Sequence, residues 1–224
     1  MPGTKGACAL CSREFTRGHM ARHLAACAKR REATAATDAG RGEPRDLVLL
    51  QVRDTESGDF WLYLEVDGEA TLQQVDGYLR AIWLECCGHL SEFSTGGWDG
   101  RTEGKTQKVG RAFRSGAELT HIYDFGTESV TLLKAIAVRE GKRATRHPIA
   151  LLARNAPPAS ECQECGEPAT HFCVECVYED EAAGTLCARH ASSHPHEGYG
   201  GTVPLVNSPR MGLCGYEGPA EPPY

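Results

Sequence analysis

The chain has 224 residues, of which 41% are hydrophobic and 24% charged, and a net charge of −6 at neutral pH. That length allows one medium domain plus small modules, and the acidic balance excludes a wholesale nucleic-acid coat while permitting a local basic patch. No apolar run reaches the ~18 residues that cross a bilayer, and residues 1–13 lack the apolar stretch of a secretory signal. A cytoplasmic protein is expected, with its eleven cysteines reduced and committed to metal rather than to disulfides.

The first segment, residues 1–31, carries Cys8-x2-Cys11 and His23-x3-Cys27. Two thiolates on a tight turn and two ligands four apart on a helix would converge on one tetrahedral zinc. Phe15 and Met20 would supply a small apolar core. His19 competes with His23, but choosing it would strand Cys27. This arrangement resembles the Cys-Cys-His-Cys variety of the classical zinc finger, with one residue fewer between Cys11 and His23 than the usual spacing of about twelve. Lys5, Arg13, Arg17, Arg22, Lys29, Arg30 and Arg31 face only Glu14 and Glu32 in charge, so nucleic acid is one expected partner of the finger. A purely structural or protein-binding finger is the other reading.

Residues 32–45 lack apolar periodicity and read as a flexible linker. From 46 to 156 the pattern is that of an α+β domain with a mostly antiparallel mixed sheet. Residues 47–52 and 60–66 are strand-like, and in the second run alternation suggests a sheet with one buried face. Thr71 is an N-cap for a helix over 72–86, whose Leu72, Val75, Leu79, Ile82 and Cys86 form one stripe. A long polar loop follows, then a short helix near 108–114. Residues 121–125 and 129–138 form a strand pair turned at Gly126, and 149–153 add a strand. Cys86 and Cys87 read as buried small hydrophobes, and Cys214 as packed or free. His121 and Asp124, with His89, are the candidates for a proton-transfer site if they converge. Otherwise Gly126 makes the turn, Asp124 caps it and Phe125 is core. The Asp-Phe-Gly run lacks the lysine, glycine-rich loop and catalytic loop of a kinase.

Residues 157–200 hold the densest signal, with five cysteines and three histidines in four close pairs between Cys162 and His196. Interleaving gives one site from Cys162, Cys165, Cys187 and His190, and a second from Cys173, Cys176, His194 and His196. The order, with Phe172 before a pair and Leu186 before Cys187, resembles a B-box, although His194-x-His196 is closer than the usual closing pair. That resemblance implies a protein-interaction module. Three zinc ions are expected in all. Four protein ligands per ion leave no vacancy for water, so the zinc is structural and not catalytic. Residues 201–224 form a Gly/Pro-rich tail.

Residues 46–155 are similar to the Ri-plasmid ORF-three-like family, passengers of bacterial insertion elements. The likeness rests on Tyr123-Asp124-Phe125-Gly126, Thr71-Leu72, Ile82-Trp83, and His89-Leu90 followed by Phe93. The flanking modules and the tail also look like one branch of that family. The resemblance implies an α+β fold and no settled activity. The combined expectation is a bacterial zinc adaptor or nucleic-acid-associated protein without enzymatic activity, with an enzyme around His121 and Asp124 as the alternative.

Overall fold

The computed structural model describes residues 3–114 and 116–224. In chain order it contains β1 (Lys5–Cys8), β2 (Glu14–Thr16), α1 (Arg17–Ala26), α2 (Ala28–Ala39), β3 (Arg45–Asp54), β4 (Trp61–Asp67) and α3 (Leu72–Leu79). Then come β5 (Ser91–Thr95), β6 (Arg101–Glu103), α4 (Val109–Ala112), β7 (Glu118–Tyr123), β8 (Ser129–Gly141) and β9 (Ile149–Asn155). The last third adds β10 (His171–Cys173), α5 (Val174–Tyr178), β11 (Thr185–Leu186), α6 (Ala188–Ala191) and β12 (Thr202–Pro204). The fold is α+β: a nine-stranded sheet in the order β2-β1-β9-β4-β3-β8-β7-β5-β6 and a three-stranded sheet in the order β11-β10-β12. Every ladder among the described residues is antiparallel.

The expectation of one buried face fails at β4, where all seven residues are buried. Leu62, Leu64 and Val66 point into a core shared with Leu72, Val75, Leu79, Ile82 and Trp83 from the helical side. Trp61 and Tyr63 point the other way, into a second core with Met20 and Leu24 of α1. The first metal module therefore covers the sheet's other face and is no independent bead. Each such side chain contributes roughly 1.5–3 kcal/mol when taken from water, so this docking is a principal stabilising term. The module also extends the sheet, because β1 pairs with β9. Gly6 is required there: a Cβ would lie 2.0 Å from the Arg154 carbonyl oxygen.

The stretch read as a flexible linker is helical to Ala39. None of the residues of α2 is buried, which is why no periodicity betrayed it, but its alanine-rich sequence favours helix intrinsically. Polar anchors hold it down. Arg30 pairs with the buried Glu65 at 3.0 Å, and Asp38 accepts from the Lys142 amide at 2.7 Å. Glu65 also receives both ends of the Arg139 guanidinium at 3.0 Å, so its charge is fully compensated.

The expected helix over 72–86 starts with a capping box between Thr71 and Gln74 but is shorter. It passes into a π-helical turn over Arg80–Leu84 and ends at Glu85. Cys86 therefore leaves the apolar stripe. Asp76 of α3 is fully buried and collects His121 Nε2 at 2.8 Å, the Ser91 hydroxyl at 2.7 Å and Lys105 Nζ at 2.9 Å. Burial alone would raise this carboxyl, but the hydrogen bonds from His121, Ser91 and Lys105 outweigh it and hold it below its ordinary 3.8. The group is ionised in the fold above that value, so its stabilisation is complete above about pH 4 and is lost as pH falls further. Asp76→Ala should lower unfolding stability by about 3 kcal/mol, because it leaves a buried histidine and a lysine without their acceptor. Urea titration at pH 7 and at pH 3 checks this: the gap between wild type and variant should be full at pH 7 and shrink at pH 3.

Candidate metal centres

Among the described residues, four groups of Cys and His bring one ligand atom each within 4.8 Å of one another: Cys8, Cys11, His23 and Cys27; Cys162, Cys165, Cys187 and His190; Cys173, Cys176, His194 and His196; and Cys86, Cys87, His89 and Cys214. The first three are the sets expected from spacing. All eleven cysteines are free thiols. A tetrahedral zinc with bonds of about 2.3 Å to sulfur and 2.0 Å to nitrogen separates its ligands by ~3.8 Å (sulfur to sulfur) and ~3.6 Å (sulfur to nitrogen). The donor sets fit a metal on this measure, as the distances below show.

In the first group the β1–β2 turn presents Cys8 and Cys11, with Ser12 in the left-handed region at φ 59° and its amide donating to the Cys8 carbonyl at 2.8 Å. His23 Nε2 lies 3.3 Å from Cys11 Sγ. Cys27 does not continue the helix of His23: α1 stops at Ala26, and Cys27 is an extended joint before α2. The ring of Phe15 stacks on His23 with centroids 4.3 Å apart. Burial and the nearby Arg13 cation push His23 below its ordinary value, which favours the neutral imidazole that a metal requires. His19, the competing ligand, is exposed and contacts Thr16 Oγ1 at 3.2 Å.

The two groups of the C-terminal module interleave as 1–3 and 2–4. Cys162 Sγ is 3.3 Å from His190 Nδ1, Cys187 Sγ is 3.6 Å from the same nitrogen, and Cys165 Sγ is 3.9 Å from Cys187 Sγ. Burial would raise the Cys162 thiol, but the backbone amides of Cys187 and Glu164 and the His190 ring hold it at about 6, which favours thiolate. In the other group Cys176 Sγ is 3.2 Å from His194 Nε2 and 3.4 Å from His196 Nδ1, and Cys173 Sγ is 3.6 Å from His196 Nδ1. Both closing histidines thus reach the site through different ring nitrogens. Asp180 lies 3.4 Å from His196 Nε2, the outer carboxylate that commonly fixes the tautomer of a metal-bound histidine. His171 stays outside, at 2.9 Å from Thr170 Oγ1.

The fourth group joins residues that the sequence does not mark as a set. Cys86 and Cys87 follow the π-helical turn, His89 precedes β5, and Cys214 comes from the tail. Cys87 is exposed, not buried, and Cys86 is half-buried. Cys86-Cys87-x-His89 places three donors within four residues, but the fourth thiol lies 125 residues from His89, beyond the reach of any local spacing. Hydrogen bonding with the Cys214 and Cys86 sulfurs pushes the Cys87 thiol up to about 12.

His121 and Asp124 do not converge. His121 is sealed in the core on Asp76, while Asp124 pairs with Arg210 Nη2 at 2.7 Å and with His89 at 3.4 Å. Asp124 also accepts the Gly126 amide at 2.9 Å, as a turn cap should. Burial would raise its carboxyl, but that amide and the Arg210 guanidinium hold it at about 2. Phe125, expected in the core, is exposed and meets Trp98 edge-on at 6.0 Å.

No family model matches the chain, and no curated protein is similar to it. The chain is similar to the crystal structure of a protein of unknown function, MM3350 from Methanosarcina mazei Go1, with 19% identity and a TM-score of 0.40. The match covers 46% of this chain and 66% of that one. No helix among the described residues is long and apolar enough to cross a membrane.

The buried apolar cluster of the C-terminal module is Cys162, Cys173, Cys176 and Leu186, with the small side chains of Ala182, Cys187 and Ala191 packed against it. So small a core cannot hold a fold without cross-links. A strong divalent-metal chelator should therefore raise amide hydrogen exchange throughout residues 157–200 by at least about 100-fold, while β3, β4 and β8 stay protected. Exchange mass spectrometry makes the comparison. Cys173→Ser should loosen the Cys162 site as well, because the two sites share β10 and β11.

Proposed function

We propose that this protein is a zinc-stabilised adaptor that holds a zinc ion in each of the three groups expected from spacing and acts by presenting surfaces to a protein partner. The observation that carries this reading is ligand closure: each group offers four protein donors to one metal, which is the composition of a folding site and not of a catalytic one. The sealed His121–Asp76 pair supports the absence of catalysis around that histidine, since no reactant reaches it. The resemblance of residues 46–155 to the ORF-three-like family supports a setting near bacterial mobile elements and names no reaction.

The partner surface we assign lies on the C-terminal module. Tyr178 and Tyr199 are each 58% exposed, with ring centroids 6.4 Å apart. Tyr199 Oη donates to Glu179 at 3.0 Å and the Gly198 amide to Glu175 at 2.8 Å, Asp180 and Glu181 follow in sequence, and no cation occurs between Val174 and Ala188. Exposed tyrosines with an acidic rim suit a basic peptide segment. The finger is less suited to duplex DNA than its sequence suggests. Its helix buries Met20 and Leu24 against the sheet, Arg30 is neutralised by Glu65, and Arg17 donates to the Gly58 carbonyl at 3.1 Å.

Elemental analysis of the purified full chain should give at least three zinc ions per monomer, and fewer than two would sink the reading. Cross-linking in the native host should join residues 175–199 to a basic segment of another protein. The double variant Tyr178→Ala with Tyr199→Ala, at unchanged zinc content, should reduce that yield about tenfold. Submicromolar, salt-sensitive binding to duplex or single-stranded oligonucleotides that is lost in Arg13→Ala with Arg22→Ala would instead assign the function to the finger.

A further inference from the structure

We propose that Cys86, Cys87, His89 and Cys214 bind a fourth zinc ion, and that this ion clasps the C-terminal tail to the middle domain. The donors come from two stretches far apart in sequence: the loop of residues 86–89 between the π-helical turn and β5, and the tail. Cys87 Sγ lies 3.6 Å from Cys86 Sγ and 3.5 Å from Cys214 Sγ, and His89 Nε2 lies 3.3 Å from Cys214 Sγ and 2.9 Å from Cys87 Sγ. These separations fall close to those of a tetrahedral zinc, with only the last needing to widen. They are far from the ~2.05 Å of a disulfide.

The surroundings fit a charged metal–thiolate centre. A zinc ion with three thiolates and a neutral imidazole carries one net negative charge. Arg210 stands beside it, fully buried, with Nε 3.4 Å from Cys86 Sγ. Its other nitrogens donate to the Thr127 carbonyl at 2.8 Å, to Ser129 Oγ at 3.0 Å and to Asp124 at 2.7 Å. Asp124 Oδ2 lies 3.4 Å from His89 Nε2, but Arg210 and the Gly126 amide engage the two oxygens of this carboxylate. The sulfur and nitrogen atoms therefore remain as the ligand set. Hydrogen bonds to a thiolate from a buried guanidinium are the kind of outer contact that orients metal ligands.

The tail is shaped to deliver Cys214. Its backbone is left-handed there, at φ 50° and ψ 35°, a conformation that a cysteine rarely adopts. Gly212 precedes it at φ 77°, in a turn closed by the Gly212 amide donating to the Tyr216 carbonyl at 3.0 Å. A Cβ on Gly212 would lie 2.6 Å from the ring of Phe172, so the same turn packs on the C-terminal module. Upstream, Ser208 Oγ donates to the Trp83 carbonyl at 2.6 Å, and Asn207 exchanges hydrogen bonds with Asn155. Downstream, Tyr224 packs on Tyr78 and stacks on His147. A metal at Cys214 would pin the centre of a strap that runs from the C-terminal module across the middle domain.

Native mass spectrometry of the full chain should count four zinc ions for wild type and three for Cys214→Ser. Cys162→Ser should also lose one ion, but from the other module. In wild type, iodoacetamide should leave Cys214 unmodified until a chelator is added, and in Cys87→Ser it should react at least about tenfold faster without one. Limited proteolysis should likewise cut between residues 205 and 220 sooner in both variants. Equal zinc counts in wild type and Cys214→Ser, immediate alkylation of Cys214 in the wild type, or a Cys87–Cys214 disulfide in the freshly isolated protein would each overturn the clasp. A wild-type count of three with an unchanged count in Cys214→Ser overturns the clasp alone. A wild-type count below two overturns the adaptor reading too.

Discussion

The central strands of the large sheet are apolar on both faces, and the rest of the molecule is arranged to cover them. Leu62, Leu64 and Val66 of β4 require one cover, and Trp61 and Tyr63 require another. The helices of the middle domain supply the first. The second comes from a module that, alone, would have too little apolar surface to fold. Docking and the local Cys/His cluster thus go together. The Cys/His group shapes the β1–β2–α1 unit, and the sheet gives Met20 and Leu24 somewhere to go. The edge pairing of β1 with β9, made possible by the missing side chain of Gly6, turns contact into continuity.

That dependence changes what the finger can do. A free finger offers its helix to a groove of nucleic acid. Here one face of α1 is spent on the sheet, and the strongest cations nearby hold carboxylates and carbonyls of the protein itself. The C-terminal module is built on the opposite principle. Almost no hydrophobic core lies within it, and two interleaved Cys/His groups lie among its short strands. Its surface is consequently free, and that is where exposed tyrosines and acidic side chains accumulate.

Buried charge follows a third rule, that each ion is met by partners on several elements. Asp76 joins α3 to β5, β7 and the loop before α4 through Ser91, His121 and Lys105. Glu65 joins β4 to α2 and β8. Arg210 joins the tail to the turn after β7 and to the fourth group of cysteines. Each is costly to bury alone and stabilising once paired, so these three centres fix how the elements sit against one another. A histidine–carboxylate pair in such a network is architecture, which is why His121 reads as catalytic in a list of residues and as core in space.

Spacing along the chain was enough to define the fold class, most strand positions and three of the Cys/His groups that meet in space. In those groups the paired donors are two to four residues apart in sequence, so the local backbone alone keeps each pair close. Cys8 with Cys11, Cys173 with Cys176 and His194 with His196 are of this kind. Periodicity failed where no periodic burial exists, as in α2, and where both faces are buried, as in β4. Only the tertiary structure decided that Asp124 would meet Arg210 and not His121, and that Cys86, Cys87 and His89 would meet Cys214. A coordination shell is a few ångströms across. When one member lies more than a hundred residues from the others, as Cys214 does, their meeting depends on the packing of the whole chain, and no local pattern encodes it.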